Sequence, residues 1–156
     1  MRRLSGVLLA GAMLLLPAFS QSYGSALAQQ AAPAPQKFTL DGEAAIWTVG
    51  VKAEKTADFE KIMAKLKEGL MKAEAPERKQ QAAGWKLVKM TKPLPDGTIA
   101  YVHVINPVVP GADYTIMTAL YEFFPEERQA LYELYRGAFD KNLSLINGSV
   151  ALDMAK

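Results

Sequence analysis

The stretch TKPLPDGTIAYVHVIN, residues 91–106, decides the fold because it contains a tight turn followed directly by a strand. In the Pro-Asp-Gly run at residues 95–97, the proline presets φ, the aspartate caps the turn and the glycine tolerates positive φ. Residues 99–105 are apolar or aromatic apart from one histidine. The segment before the turn, residues 85–91, has the composition of a second strand. Together these features predict a β-hairpin.

On the N-terminal side of the hairpin, the sequence predicts a strand and then a helix. The strand covers residues 45–53, in which Trp47, Val49 and Val51 share one face by alternation. Thr56 has the side chain of a helix N-cap. Apolar residues that recur at helical spacing then predict a core-facing stripe: Phe59, Ile62, Met63, Leu66, Leu70 and Met71.

On the C-terminal side, residues 107–111 break the strand, and Pro110-Gly111 fits the central positions of a type II turn. Asp113 can cap a following helix, and Pro125 suits the first position of another helical segment. The end of the chain allows two interpretations. It forms either a hairpin around Asn147-Gly148 or a helix tail followed by a strand, and we expect a strand within residues 149–154.

The predicted order is therefore β-α-β-β-α-β, which is the ferredoxin-like arrangement. We expect an α+β fold in which an antiparallel sheet carries helices on one face and leaves the other face open. Charge distribution agrees with this layout. Basic side chains outnumber acidic ones in residues 51–92, and acidic side chains outnumber basic ones in residues 93–156. The two helical regions can therefore lie side by side with opposite net charges.

The N-terminus has the composition of a secretory signal peptide. Two arginines precede an apolar run that is shorter than a membrane-spanning helix, and Ala26-Leu27-Ala28 supplies a cleavage site. We therefore expect a signal peptide over residues 1–28, a flexible leader over residues 29–43 and a single domain over residues 44–156. This predicts a periplasmic or extracellular protein without a stable membrane anchor.

Net charge argues against nucleic acid as a partner. The whole chain has 18 basic and 16 acidic residues, and cleavage after Ala28 removes Arg2 and Arg3. The mature chain is then neutral, so no strong positive field remains to attract phosphates. The absence of cysteine excludes thiol chemistry and lipid attachment at a cysteine.

The third strand supplies the candidate site. Ala100, Val102 and Val104 are small and suit the helix-covered face, which places Tyr101 and His103 on the open face. In a ferredoxin-like sheet the first strand lies beside the third, so Trp47 is expected near both. We treat Trp47, Tyr101 and His103 as candidate ligand-binding residues and His103 as the candidate catalytic residue. The alternative is that Tyr101 and His103 only hydrogen-bond across a dimer contact.

Other chemistry has less support in the sequence. Neither Ser144 nor Ser149 lies in a G-x-S-x-G motif, and no glycine-rich phosphate loop occurs. One histidine and no cysteine leave mainly carboxylates for a metal, and the Glu126-Glu127 pair fits a helix N-terminus. We therefore predict neither a metal site nor a cofactor.

From Ala45 to Met154 the chain resembles the dimeric α/β barrel superfamily, which includes monooxygenases of the antibiotic-biosynthesis type. The resemblance lies in the element order and in TIAYVHVIN leading through PVVPGADY to FFPEE. It implies a homodimer in which two open sheet faces enclose a cavity. Some members bind haem through a histidine on a helix, but His103 lies on a predicted strand.

Three functions fit this sequence. The first is the binding of a small apolar or aromatic molecule in a barrel cavity. The second is a cofactor-free, monooxygenase-like enzyme with His103 and Trp47 at the reacting centre. The third is a structural or interaction protein without a ligand, in which the sheet face is only a dimer contact.

Overall fold

The structure, a computed structural model, describes residues 36–154, which fall within one compact unit. These residues form an α+β fold with one antiparallel sheet of four strands and four α-helices. In chain order the elements are β1 (Ala44–Val51), α1 (Thr56–Lys72), α2 (Pro76–Gly84), β2 (Trp85–Lys89), β3 (Ile99–Ile105), α3 (Ile116–Phe123), α4 (Arg128–Ala138) and β4 (Phe139–Gly148).

The strands are ordered β2-β3-β1-β4 across the sheet, and every neighbouring pair is antiparallel. One face of this sheet packs against the helices. The core between the two layers contains Val49 and Val51 of β1, Phe59 and Leu66 of α1 and Leu120 of α3. Because only one face of the sheet is covered by helices, buried and more exposed side chains alternate along much of β1.

The hairpin is confirmed. β2 pairs with β3 in register, and Gly97 has a φ of +85°. A carboxylate oxygen of Asp96 accepts hydrogen bonds from the backbone N–H and the hydroxyl of Thr98. The Pro-Asp-Gly run therefore forms the turn through the interactions expected of those residue types.

One helix was not predicted, and one predicted strand was wrong. The segment before β2 forms a separate helix, α2, which has Pro76 in its first turn. The last strand is β4, which begins at Phe139 and ends at Gly148, before the residues 149–154 that we expected to be extended. Both errors come from local composition: α2 lacks an apolar stripe, and β4 is exposed along most of its length, so neither segment has a clear hydrophobic period.

The predicted face of β3 was also wrong. Tyr101 and His103 point toward the helices, where the ring of Phe59 lies 4.8 Å from the ring of Tyr101 and His103 is fully buried. Val102 and Val104 belong to the open face. We assigned small residues to the helix side, but the space between helices and a sheet must be filled without voids. Large rings fill it better than small side chains do.

The C-terminal end of the predicted leader packs onto the domain. Leu40 is buried, and the ring of Phe38 lies 4.8 Å from the ring of Trp47. The backbone N–H of Phe38 also donates to a carboxylate oxygen of Asp113. These apolar anchors are absent from the Pro- and Ala-rich stretch before them. The predicted signal peptide, residues 1–28, lies outside the described residues.

Charged side chains connect the basic and acidic parts of the chain. Lys65 of α1 pairs with Glu127 at 2.5 Å. Arg78 of α2 is only 8% exposed, and its guanidinium donates to Glu122 Oε2, to the Asp113 carbonyl and to Gln81 Oε1. Arg78 therefore joins α2, α3 and the loop between β3 and α3.

The two edge strands of the sheet differ in charge. β2 is short and carries Lys86 and Lys89, both exposed. β4 has ten residues, and its segment 142–148 is exposed and has no charged side chain. Lysines on an edge discourage pairing with another strand, whereas a long uncharged edge permits it.

The open face of the sheet has an apolar row. Cross-strand register places Ile46 between Val104 and Ile146, and the Ile146 side chain is 59% exposed. Val88 is a further exposed apolar residue on this face.

Within residues 36–154, no helix has the length and apolar composition needed to cross a membrane.

Candidate functional site

The candidate site is a cluster of rings between the sheet and the helices. Trp47 and His103 are cross-strand partners on β1 and β3, and their rings stack with centroids 4.5 Å apart and planes 21° from parallel. The register thus brings together two of the three residues predicted from the sequence. Tyr101 lies two positions along β3 on the same face, opposite Val49.

His103 is held by a residue that the sequence analysis missed. The indole N–H of Trp85 donates to His103 Nδ1 over 3.0 Å. Because Nδ1 accepts, the proton of the neutral ring is on Nε2. Among the described residues, Nε2 has no hydrogen-bond partner. The sequence does contain a signal for Trp85. Pairing the residues on either side of the turn places Leu87 opposite His103, and Trp85, two residues before Leu87, lies on the same face of β2.

Burial fixes the charge state of His103. Removal from solvent lowers its pKa to about 4, and no other cause contributes. A carboxylate beside the ring would oppose this shift. His103 is therefore neutral at pH 7, as expected for a histidine packed among apolar rings.

Tyr101 forms a second polar group with residues that the sequence analysis did not single out. Its hydroxyl donates to Glu60 Oε1 over 2.6 Å, and Lys89 Nζ contacts the same oxygen at 2.8 Å. Burial, with the Glu60 contact, raises the pKa of Tyr101 to about 12. The bond from Lys89, followed by that from Tyr101, lowers the pKa of Glu60. The phenol thus stays protonated and the carboxylate stays ionised at neutral pH.

Trp47 also lines a cavity of about 420 Å³ beside β4, which we call the β4 cavity. Trp47 is oriented there by a hydrogen bond of 3.0 Å from its indole N–H to Asn142 Oδ1. His103 and Tyr101 do not line this cavity. Its wall is largely aromatic and aliphatic, with a few polar groups: Phe38, Trp47, Thr115, Ile116, Met117, Tyr135, Phe139, Asn142, Leu143, Ser144 and Leu145.

The composition of the β4 cavity suits a small molecule. Ligand sites have volumes of roughly 300 to 1,000 Å³ and combine apolar walls with a few polar groups that fix orientation. Rings such as Trp47 and Tyr135 favour a flat apolar body. The side chains of Thr115 and Asn142 can hydrogen-bond one polar substituent.

Comparison of the chain with protein-family models, curated proteins and solved structures finds no match in any of the three.

Proposed function

We propose that the protein binds a small apolar or aromatic molecule, and that the β4 cavity is the site. The observation that carries this proposal is the aromatic lining of a cavity large enough for such a ligand. Trp47 is the predicted ligand-binding residue that touches the cavity. Tyr101 and His103 act behind it, and His103 supports the Trp47 ring through the stack.

The monooxygenase-like alternative requires His103 to reach a substrate. The His103 ring is fully buried and does not line the β4 cavity. Binding therefore has better support than catalysis. Oxygen consumption with quinol-like substrates separates the two functions, and we expect none above the rate without protein.

The first prediction compares two neighbouring residues of β4. Leu145 lines the cavity, whereas Ile146 points to the open face. Leu145→Lys places a charge in the cavity wall, so we expect the affinity for 1-naphthol to fall by about tenfold or more. Fluorescence of Trp47, followed in a Trp85→Phe background, measures binding. Calorimetric titration of the chain with both tryptophans gives the same comparison.

Ile146→Lys is the matched control, because it adds the same charge one residue away, outside the cavity. It should bind 1-naphthol like the unsubstituted protein. Equal losses in the two variants, or no saturable binding to the unsubstituted protein, would contradict the proposal.

We further propose that the fold is ferredoxin-like and that the protein forms a dimer, as the resemblance to dimeric α/β barrels implies. The strand order β2-β3-β1-β4 and its antiparallel pairing support the ferredoxin-like arrangement. Each connection between β1 and β2, and between β3 and β4, contains two helices where the simple motif has one. The apolar row on the open face supports a second copy as the partner.

The second prediction concerns this dimer. The row of Ile46, Val104 and Ile146 can meet the same row of a second copy across a two-fold axis. Sedimentation at micromolar concentration should give twice the mass of the mature chain. Ile146→Lys should give a monomer because it brings two like charges to the axis region, whereas Leu145→Lys should stay dimeric. A monomeric unsubstituted protein would rule out the dimer.

Export through a cleaved signal peptide remains our proposal for the location, and its support is the sequence of residues 1–28. The third prediction is that N-terminal sequencing of the exported protein begins at Gln29. Recovery of an intact Met1 from the membrane fraction would show that this segment is an anchor.

A further inference from the structure

The polar side chains of the β4 cavity differ in what they still offer to a ligand. Asn142 lines this cavity, and its Oδ1 accepts the indole N–H of Trp47 over 3.0 Å. Because an indole N–H can only donate, this contact fixes which end of the amide is the oxygen. Among the described residues, the amide nitrogen Nδ2 donates no hydrogen bond. Asn142 therefore keeps its N–H donors for a ligand.

Tyr135 supplies a second donor. It lines the same cavity, and within residues 36–154 its hydroxyl has no hydrogen-bond partner. It differs in this from the hydroxyl of Tyr101, which already donates to Glu60. Burial raises the pKa of Tyr135 to about 12. The phenol is therefore protonated at neutral pH, and its O–H is available to a ligand.

The side-chain acceptors of this cavity are largely engaged. Asn142 Oδ1 is bound by Trp47, as described above, and the hydroxyl oxygen of Thr115 accepts the backbone N–H of Phe38 over 3.1 Å. Ser144 pairs with a residue of the open face in the strand register, so its hydroxyl lies on the other side of the sheet. The unused side-chain groups are thus mainly donors, and they require a ligand that supplies the acceptor.

The β4 cavity also has no charge. Among the described residues that line it, none is acidic or basic. An ionised group placed inside would lose hydration without gaining a partner of opposite charge, which is costly. A carbonyl oxygen loses less hydration, and it has two lone pairs that can accept from two donors. The lining therefore favours a neutral acceptor over a charged one.

We propose that the ligand of the β4 cavity is a neutral carbonyl compound, whose apolar body packs against Trp47 and whose carbonyl oxygen accepts from the Tyr135 hydroxyl and the Asn142 amide. Tyr135 and Asn142 are then the residues that determine specificity. The assignment of this ligand class rests on the proposed function, because it concerns the same cavity. 1-Naphthol is a suitable general probe of the cavity, since its oxygen can accept as well as donate.

Removal of the Tyr135 hydroxyl separates recognition of the oxygen from packing of the ring. In Tyr135→Phe, the affinity for the neutral ketone 1-acetonaphthone should fall by about threefold to tenfold, as expected from the loss of one hydrogen bond. The affinity for 1-ethylnaphthalene, which has the same ring system without an oxygen, should be unchanged. Calorimetric titration measures both ligands. Tyr132→Phe is the matched control, because Tyr132 lies on the same helix outside the cavity lining; it should bind the ketone normally.

Asn142→Asp tests the other donor and provides an independent measurement if Tyr135→Phe is unstable. One carboxylate oxygen can still accept the indole N–H of Trp47, but the N–H donors are replaced by a second oxygen that repels a carbonyl oxygen. The affinity for 1-acetonaphthone should fall by about threefold or more. The affinity for 1-ethylnaphthalene should change much less than that for the ketone.

Several results would overturn the carbonyl assignment. One is an unchanged ketone affinity in both variants, and another is an equal loss for the ketone and the hydrocarbon, which would indicate packing alone. Tighter binding of 1-naphthoate than of 1-acetonaphthone would identify a carboxylate as the ligand group instead. If 1-naphthol or 1-ethylnaphthalene saturates the protein in these cases, the proposed function stands and only the ligand class is wrong. If none of the naphthalene compounds binds saturably, both are rejected.

Discussion

The free energy of unfolding should fall by about 3 kcal/mol as the pH is lowered from about 6.5 to about 4, because the folded protein holds His103 neutral. The pKa of this histidine is about 4 in the folded protein, against the ordinary value of 6.5. Between these values the unfolded chain binds a proton that the folded chain excludes. The contribution of the buried, neutral His103 to the free energy of unfolding is therefore fully present above the unfolded pKa of 6.5. It is lost progressively as the pH falls from that value through the folded pKa of about 4.

The histidine is the only one in the chain, so its contribution can be isolated with one variant. His103→Phe should cost about 1 to 3 kcal/mol at pH 7, because the buried indole N–H of Trp85 loses its acceptor. The variant should lack the pH dependence caused by His103, so the two stability curves should approach each other toward pH 4. Carboxylates titrate in both proteins and cancel in the comparison.

Urea unfolding at half-unit pH intervals measures both curves. Parallel curves for the two proteins would show that burial does not hold His103 neutral. If the variant keeps its stability but loses an enzymatic activity, His103 is catalytic and the structural role is wrong. We expect the variant to keep the dimer, since His103 lies away from the open face.

Replacement of Arg78 should have an effect of similar size. Arg78→Ala removes donors from the Asp113 carbonyl and from Gln81 Oε1 in a buried environment, and we expect a loss of about 2 to 4 kcal/mol of unfolding free energy. Arg78→Lys should be intermediate, because a single ammonium group cannot match the planar fork of the guanidinium.

Glu122→Gln is the control for Arg78. The Glu122 side chain is about half exposed, so loss of its charge should cost about 0 to 1 kcal/mol. Thermal or urea unfolding of the three variants provides the comparison. If Glu122→Gln is as damaging as Arg78→Ala, the ion pair matters more than the buried acceptors and the explanation is wrong.

The sequence predicted those elements whose signal is local. The turn at residues 95–97 follows from proline, aspartate and glycine chemistry, and α1 follows from an apolar stripe with helical spacing. Most of that stripe is buried, although Met71 is exposed. Helix α2 was missed because its buried face is polar: Arg78 and Gln81 are buried through hydrogen bonds to a loop that is distant in sequence.

The candidate site was predicted only in part, because faces and partners depend on tertiary packing. Alternation correctly placed Tyr101 and His103 on one face of β3, and the element order placed Trp47 beside His103. Side-chain size then gave the wrong face, since it does not reveal how wide a gap the helices leave. Prediction of the role of Trp85 requires the register of β2 and β3, which the sequence indicates only approximately. Prediction of the role of Asn142 requires the position of β4, which the sequence does not indicate.

The unequal charge of the two sheet edges bears on whether copies of the chain can polymerise. If two copies met along β4, that contact would be self-complementary and would use the same edge of both, so strand pairing along β4 would join only two copies. Extension of the sheet beyond two copies would need the opposite edge as well. There Lys86 and Lys89 interrupt the apolar surface, and lysines on an edge oppose the addition of another strand. The chain thus combines one edge that permits association with one that ends it.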